Sequence, residues 1–327
     1  MKRRNFLQTA TAISAIPICG SVLDNGELTI KTPALSVEDQ ESIANALGKK
    51  GTYNEAQATY TVPLPRNDLK VTIKGAAGVP EPVPIPFGFG GWVSFKKTLD
   101  GKQTVMMSDT VLLEDEVNPL IDATHSAGLE VGAIHNHFFY EQPRIFYMHL
   151  HGMGSTAELA KKYATAIGNT KLFPANQPQA TTPASTTSQT GKELFDLPAL
   201  DGLVNYKGVV NGPTYKYTVG RDDVQIVAMG AEMTAAIGLN SWASFAGKQD
   251  AAHIAGDIAM LEGEVNNVIS ALRSHKLEVV ATHHHMLGEQ PRTVFLHYYG
   301  RGPALELAKG FRAALDQLGK PGSMNHK

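Results

Sequence analysis

Twice the chain spells His-x-His, then Glu-Gln-Pro-Arg, then a further His: "GAIHNHFFYEQPRIFYMHLHG" at 132–152 and "VATHHHMLGEQPRTVFLHYYG" at 280–300. Residues i and i+2 of a strand point to one face, so His135 with His137, and His283 with His285, can offer paired imidazoles to one ion. With residues 138–144 as the turn, the returning strand sets His149 opposite His137 and His151 opposite His135, four imidazoles on one face. The second copy keeps His297 but carries Tyr299 where the first has His151. Glu141 and Glu289 at the turn are expected as ligand or general base. Arg144 and Arg292 follow the turn proline, where a guanidinium can hold a substrate carboxylate or orient the turn glutamate. Two or three neutral imidazoles with one carboxylate suit a divalent transition metal, zinc first and manganese, iron or nickel after it, with one position left for water.

The plainer reading is that strand histidines hydrogen-bond quietly, and that any duplicated domain repeats its core residues. What favours metal or catalysis is the matching face parity of the histidines in both copies. His125, His253, His275 and His326 have no such setting and are expected at the surface, while His284 should face away from its two neighbours. Asp109, Asp257, Glu116 and Glu264 flank a helix start and read as caps. Arg66 with Asp68, and Arg221 with Asp223, read as turns or interface ion pairs. "GFGGW" at 88–92 lacks a phosphate-loop lysine and matches no dinucleotide fingerprint, and no serine or cysteine nucleophile motif is visible.

The elements that must position these residues come as an internal repeat. Residues 109–161 laid on 257–309 without a gap agree at 26 of 53 positions. Upstream, "YTVPLPRNDLKV" resembles "YKYTVGRDDVQI" and "GWVSF" resembles "SWASF", so the duplicated unit is larger still. Within a copy, "YTVPLPRNDLKVTI" alternates as a strand, and "LEDEVNPLIDATHSAG" has helical spacing closed by Gly128. "LEVGAIHNHFF" and "PRIFYMHLHG" read as two strands about a turn, and "STAELAKKYATAIG" as a helix capped by Ser155 and stopped by Gly168. The fold expected is α+β: two homologous repeats, each an antiparallel sheet with two helices, related by a pseudo-two-fold axis. The repeats are placed at 36–168 and 200–320, with a Thr/Ser/Pro-rich linker at 169–199.

Charge and composition narrow the function. With 29 basic and 31 acidic residues there is no basic excess or basic arm for a nucleic acid. "MKRRNFLQTATAISAIPICGSVL" at 1–23 has the pattern of a twin-arginine export signal, so an exported, periplasmic or envelope-associated protein is expected. Without Lys2, Arg3 and Arg4 the formal charge passes from -2 to -5 (-2 less three). Cys19, the single cysteine, lies in this segment; a lipid anchor there is the lesser reading, because Ile18 stands where a lipoprotein signal wants a small residue. No other stretch approaches the ~20 apolar residues of a spanning helix.

The His-x-His-x3-Glu spacing with its later His also resembles the metal motif of cupins, but the helix that follows each hairpin departs from a cupin barrel. Taken together, "GDIAMLEGEVNNVISAL", "LEVVATHHHMLGEQPRTVFLHYYGRG" and "ALELAKGFRAAL" resemble the LppY/LpqO family of exported proteins, over about residues 40–168 and 200–318. That resemblance implies export, sometimes as a lipoprotein, and a domain of unknown function. Two activities compete: a metal-dependent hydrolase or lyase acting on a small-molecule or envelope substrate, and a non-catalytic periplasmic metal carrier or sensor. A structural envelope module is the third. The duplication is expected to give one metal site per copy, with the second more open because Tyr299 replaces an imidazole.

Overall fold

The computed structural model describes residues 32–75, 78–168, 170–172 and 188–319, and the pairing of β1 (Leu23–Asp24) with β2 (Glu27–Leu28) in a unit of its own. The export pattern at 1–22, Cys19 with it, and His326 lie outside the described residues. Among those described, no helix is long and apolar enough to cross a membrane.

The first repeat runs α1 (Val37–Leu47), β3 (Thr52–Asn54), β4 (Thr59–Pro65), β5 (Val71–Lys74), β6 (Pro80–Val83), β7 (Gly90–Lys97) and β8 (Thr104–Leu113). It continues through α2 (Val117–Ser126), β9 (Glu130–His135), β10 (Ile145–Gly154) and α3 (Thr156–Ile167). The second runs α4 (Gly191–Leu194), α5 (Leu197–Val204), β11 (Val209–Asn211), β12 (Thr214–Gly220), β13 (Ile226–Ala228), β14 (Ala231–Met233) and β15 (Asn240–Lys248). It closes with β16 (Ala251–Leu261), α6 (Val265–Ser274), β17 (Glu278–His283), β18 (Thr293–Gly302) and α7 (Ala304–Leu315). Each repeat forms a six-stranded antiparallel sheet, β3-β4-β7-β8-β10-β9 and β11-β12-β15-β16-β18-β17. The two orders are the same, as the duplication requires.

The repeats hold more α-helices than the two expected of each, three in the first and four in the second. Before the first sheet stands α1, capped by Ser36, whose hydroxyl accepts from the Asp39 amide at 3.0 Å, and ended by Gly48 at φ 61°. Before the second stand α4, on residues the sequence assigns to the linker, and α5, which begins in the linker and runs into the second repeat. Their Phe195, Leu200 and Val204 are apolar and enter the second repeat's core. The polar tract therefore gives way to a packed segment earlier than composition suggests.

Period-two alternation gives each sheet two apolar faces. Val93, Phe95, Met106, Leu112, Met148 and Leu150 point to one face of the first sheet and pack on Ile43, Leu47, Leu120, Leu159 and Tyr163 of its helices. The opposite face turns to the other repeat. There the β5–β6 hairpin and neighbouring residues of the first repeat pack with Ala246, Ala255 and Tyr299 of the second. Reciprocally, β13–β14 packs with Val105 and Met107 of the first. The layers are thus helices, sheet, sheet, helices, with each repeat's small hairpin clasping the other's sheet.

Polar contacts tie the clasps. The Leu99 amide donates to the Gly230 carbonyl at 2.8 Å, and His253 Nε2 lies 2.8 Å from Glu81 Oε2. His253 is consequently buried, against its expected surface position, because the first repeat's hairpin covers it, and its Nδ1 meets the Tyr299 hydroxyl at 2.7 Å. Arg66 and Arg221 are buried ion-pair hubs, as their motifs suggested: Arg66 binds Asp68 and Glu116, and Arg221 binds Asp223 and Glu264.

Candidate metal centre between the repeats

A row of directly paired residues crosses each sheet. In the first, Trp92 on β7 faces Asp109 on β8, which faces His149 on β10, which faces Ala133 on β9. In the second, Trp242, Asp257, His297 and Ala281 take the same places. Direct partners share a face, so tryptophan, aspartate and histidine stand side by side on the surface each sheet turns to the other repeat. His135 and His283 end β9 and β17 two residues on from those alanines, on the same face, and His137 and His285 follow in the turn.

The hairpin register differs from the expected one. His135 pairs with Tyr147, His149 with Ala133 and His151 with Glu130, so neither expected pairing, His149 with His137 or His151 with His135, occurs. The displacement at His135 is four residues, from His151 to Tyr147. An even shift preserves face parity, and the imidazoles remain cofacial. The observed register is the one that a loop of residues 138–144 dictates, since it sets Tyr147 opposite His135 and His149 opposite Ala133, and Gln142 within that loop bridges to Thr72 of β5 with amide–carbonyl bonds of 2.9 Å in both directions.

The two histidine faces meet. His135 and His283 stack with ring centroids 3.8 Å apart, His137 lies 3.7 Å from His297, and His149 lies 3.8 Å from His285. Since 135, 137 and 149 correspond to 283, 285 and 297, the last two contacts are one contact seen twice, and the pseudo-two-fold axis passes between His135 and His283. Three buried groups have ligand atoms within 4.8 Å of one another: His135–His137–His297, His135–His149–His283 and Asp257–His283–His285. The first two draw on both repeats and the third lies within the second, so the histidines expected as one site per copy are brought together across the repeats. His135 and His137 Nε2 are 3.3 Å apart, close to the ~3.4 Å between two nitrogens on one tetrahedral zinc.

Orientation comes from the layer behind. His149 Nδ1 donates to the Ser108 carbonyl at 3.0 Å, and His297 Nδ1 to the Gly256 carbonyl at 3.2 Å. Each bond fixes the tautomer and leaves an Nε2 lone pair for a ligand, as in metal sites generally. His149 Nε2, both ring nitrogens of His283, the Nδ1 atoms of His135, His137 and His285, and one oxygen each of Asp109 and Asp257 are buried without a partner among the described residues. An unsatisfied buried polar atom costs about 1–3 kcal/mol, so such a concentration needs an explanation.

Electrostatics agree with ligands awaiting a cation. Burial, then the neighbouring imidazoles, holds His135, His137, His283 and His285 well below the usual histidine range. Burial brings His149 and His297 to about 3. All are therefore neutral near pH 7 and coordination-ready. Burial pushes Asp109 up to about 7, and burial followed by the charge of Asp109 pushes Asp257 well above the carboxylate range.

The centre opens onto a cleft of about 550 Å³, floored by Asp109, Asp257, His137 and His285 and walled by Trp92, Trp242, Thr61 and Lys216. The size suits a small molecule. Gly238, at φ 104°, lets the cleft wall pass close: a Cβ there would stand 3.1 Å from both His285 and Trp92.

Other expected site residues fall outside the three groups. His151 is buried opposite Glu130 with both ring nitrogens unpartnered and a value near 4 set by burial. Tyr299 packs against the first repeat and bonds to His253. Glu141 accepts from the Ile145 amide at 3.2 Å and Glu289 from the Thr293 amide at 3.0 Å, so each closes its own turn. Arg144 and Arg292 are exposed; Arg144 donates to the Phe139 carbonyl at 3.0 Å, and Arg292 lies 3.4 Å from His284 Nε2. Sequence reasoning passed over Asp109 and Asp257, read as caps although the strands run on to Leu113 and Leu261 and the capping carboxylates are Glu116 and Glu264. An acid repeated within an apolar strand, "SDTVLL" and "GDIAML", was the available signal.

Fold and centre define a duplicated α+β protein with a histidine-rich, metal-competent site on its internal dyad. The chain belongs to the family described as Domain of Unknown Function (DUF1259), which matches it twice, over residues 41–169 and 199–317. No curated protein matches it. Among solved structures, a trimeric bacterial microcompartment shell protein, PduB, aligns at 12% identity over 82% of this chain and 93% of that one. With a TM-score of 0.19 this likeness carries no argument.

Proposed function

We propose that the chain is an exported metal-dependent enzyme, a hydrolase or lyase of a small molecule, whose ions are held by histidines of both repeats. One observation carries the reading: buried, unpartnered imidazole nitrogens from the two repeats converge within 4.8 Å beside an open cleft. His135–His137–His297 and Asp257–His283–His285 share no residue, so two ions can be held at once. Zinc leads, because neutral imidazoles with one carboxylate are its ligands, and manganese, iron and nickel follow. An ion here supplies a Lewis acid that polarises a substrate oxygen and acidifies water.

The chain's own groups do the rest. His149 and His297 are oriented by their carbonyl bonds, and Asp109 on the cleft floor is the group placed to accept a proton. In this reading Glu141 and Glu289 shape the turns that carry His137 and His285, and Arg144 and Arg292 brace those turns from outside. A periplasmic carrier or sensor would use the same imidazoles, but a carrier closes its ligand sphere, and four residues of this centre border the cleft. A structural envelope module would need its histidines satisfied by the chain, and their free nitrogens weigh against that. Export, drawn from the Arg3-Arg4 pattern, and the closer kinship with LppY/LpqO proteins belong to the same proposal.

Elemental analysis of tag-free protein, prepared with each of the four metals supplied, tests it. One or two ions per chain are expected. Ion content near zero with all four metals overturns both the enzyme and the carrier.

A further inference from the structure

The histidine contacts obey the internal dyad, but the charge of the cleft wall breaks it at one position. Thr61 on β4 and Lys216 on β12 are equivalent: each follows a buried tyrosine, Tyr60 or Tyr215, and each pairs with a serine, Ser94 or Ser244, on the next strand. Thr61 is consumed by the fold, its hydroxyl 2.7 Å from that of Ser94. Lys216 is not. Its ammonium sits 4.4 Å over the Trp242 ring, half-buried in the cleft wall, and no hydrogen bond or ion pair joins it to any described residue. Asp109 and Asp257 act on it through space but stand beyond ion-pair distance.

An ammonium partly removed from water with no anion beside it is unfavourable unless something else completes it. The two carboxylates that share its cleft are the poorer completion, because both stand beyond ion-pair distance and Asp257 belongs to a metal-competent group. An incoming anion is the better one. Lys216 and Trp242 together form a charged corner with an aromatic floor, and the opposite corner, with Thr61 and Trp92, carries no charge.

We infer that the cleft takes a small organic oxyanion, a carboxylate or phosphate, whose charged group is held by Lys216, and that this lysine gives a nearly two-fold site a single binding direction. The inference names the substrate class for the proposed metal centre and rests on that reading for the chemistry, though not for the anion contact. The reactive part of the substrate then lies over Asp109, Asp257, His137 and His285. An unsymmetrical substrate therefore binds one way round beside histidines paired across the dyad.

Calorimetric titration with inorganic phosphate and with succinate tests this on the full chain, metal-loaded and metal-free, as wild type, Lys216→Thr and Lys216→Arg. Lys216→Thr installs the residue of the first repeat and should weaken at least one of the two anions about tenfold or more in both preparations, the worth of one charge-assisted contact. Metal content should be unchanged, and Lys216→Arg should retain most of the affinity. Equal binding by wild type and Lys216→Thr, or no binding of either anion to any form, overturns the inference. A protein that binds no metal while Lys216→Thr still loses the anion sinks the metal reading and leaves this one standing.

Discussion

Asp257 sets ligation against folding. Its carboxyl lies well above its unfolded value, so burying it opposes folding wherever the unfolded form is ionised, from about pH 4 upward. Asp257→Asn keeps the shape and removes that opposition. The metal-free variant should melt higher than wild type at pH 7, while its ion affinity falls roughly ten- to a hundredfold. A variant that melts lower without metal, or binds ions as before, would remove Asp257 from the centre. The imidazoles pull the other way with pH. Their folded values lie below the unfolded value of about 6.5, so their share of stability is full above that pH and is lost as pH falls toward about 3. In the same window protonation relieves Asp109 and Asp257, but His135, His137, His149, His151, His283, His285 and His297 outnumber them. The melting midpoint of metal-free protein should therefore fall steadily from pH 7 to pH 5, by on the order of 2 °C for each kcal/mol lost. A flat profile would mean that the imidazoles are not buried neutral.

At the scale of the element, the two repeats share one plan with small departures that can be tested. After α2 the chain turns at Gly128 with φ 69°, and after α6 the equivalent residue is Lys276 with φ 62°. A side chain in the left-handed region is strained, and a glycine relieves it. Lys276→Gly should stabilise by about 0.5–1 kcal/mol, and Gly128→Lys should destabilise by a similar amount, read from thermal or urea unfolding. Opposite signs are the requirement. Those helices were legible in the sequence because their caps and apolar spacing are local. The cofacial histidines were legible because strand parity survives any even slip. The register was legible in the loop length, since residues 138–144 as the loop set Tyr147 opposite His135, but the bridge from Gln142 to Thr72, some seventy residues away, is reported by no local pattern. His253 was misplaced for the same kind of reason: the surface that buries it, Glu81 and its hairpin, comes from the other repeat.

At the scale of the whole molecule, the fold brings together two histidine hairpins that the sequence placed in separate repeats. The repeat announced that two histidine hairpins exist, but their meeting depends on the clasp of β5–β6 and β13–β14 across the dyad, which involves Val105, Met107, Ala246 and Ala255 rather than any histidine. The consequence is specific to one group. His137 and His297 belong to different repeats, yet both stand with His135 in one metal-competent group. Trp242 lies 5.9 Å from His137 and 6.2 Å from His297, whereas Trp92 stacks 6.0 Å from His285, so by its histidine neighbours each tryptophan stands nearest a different group. With Trp92 replaced by Phe, quenching of Trp242 by cobalt or nickel follows the first set; with Trp242 replaced by Phe, Trp92 follows the set of His283 and His285. His137→Ala and His297→Ala should each abolish the Trp242 response, the double variant should lose no more than either alone, and the Trp92 response should persist in all three. Such non-additivity is what residues on one ion must show. If His297→Ala spares the Trp242 response and His137→Ala removes it, the ion is confined to the first repeat and the shared centre is wrong.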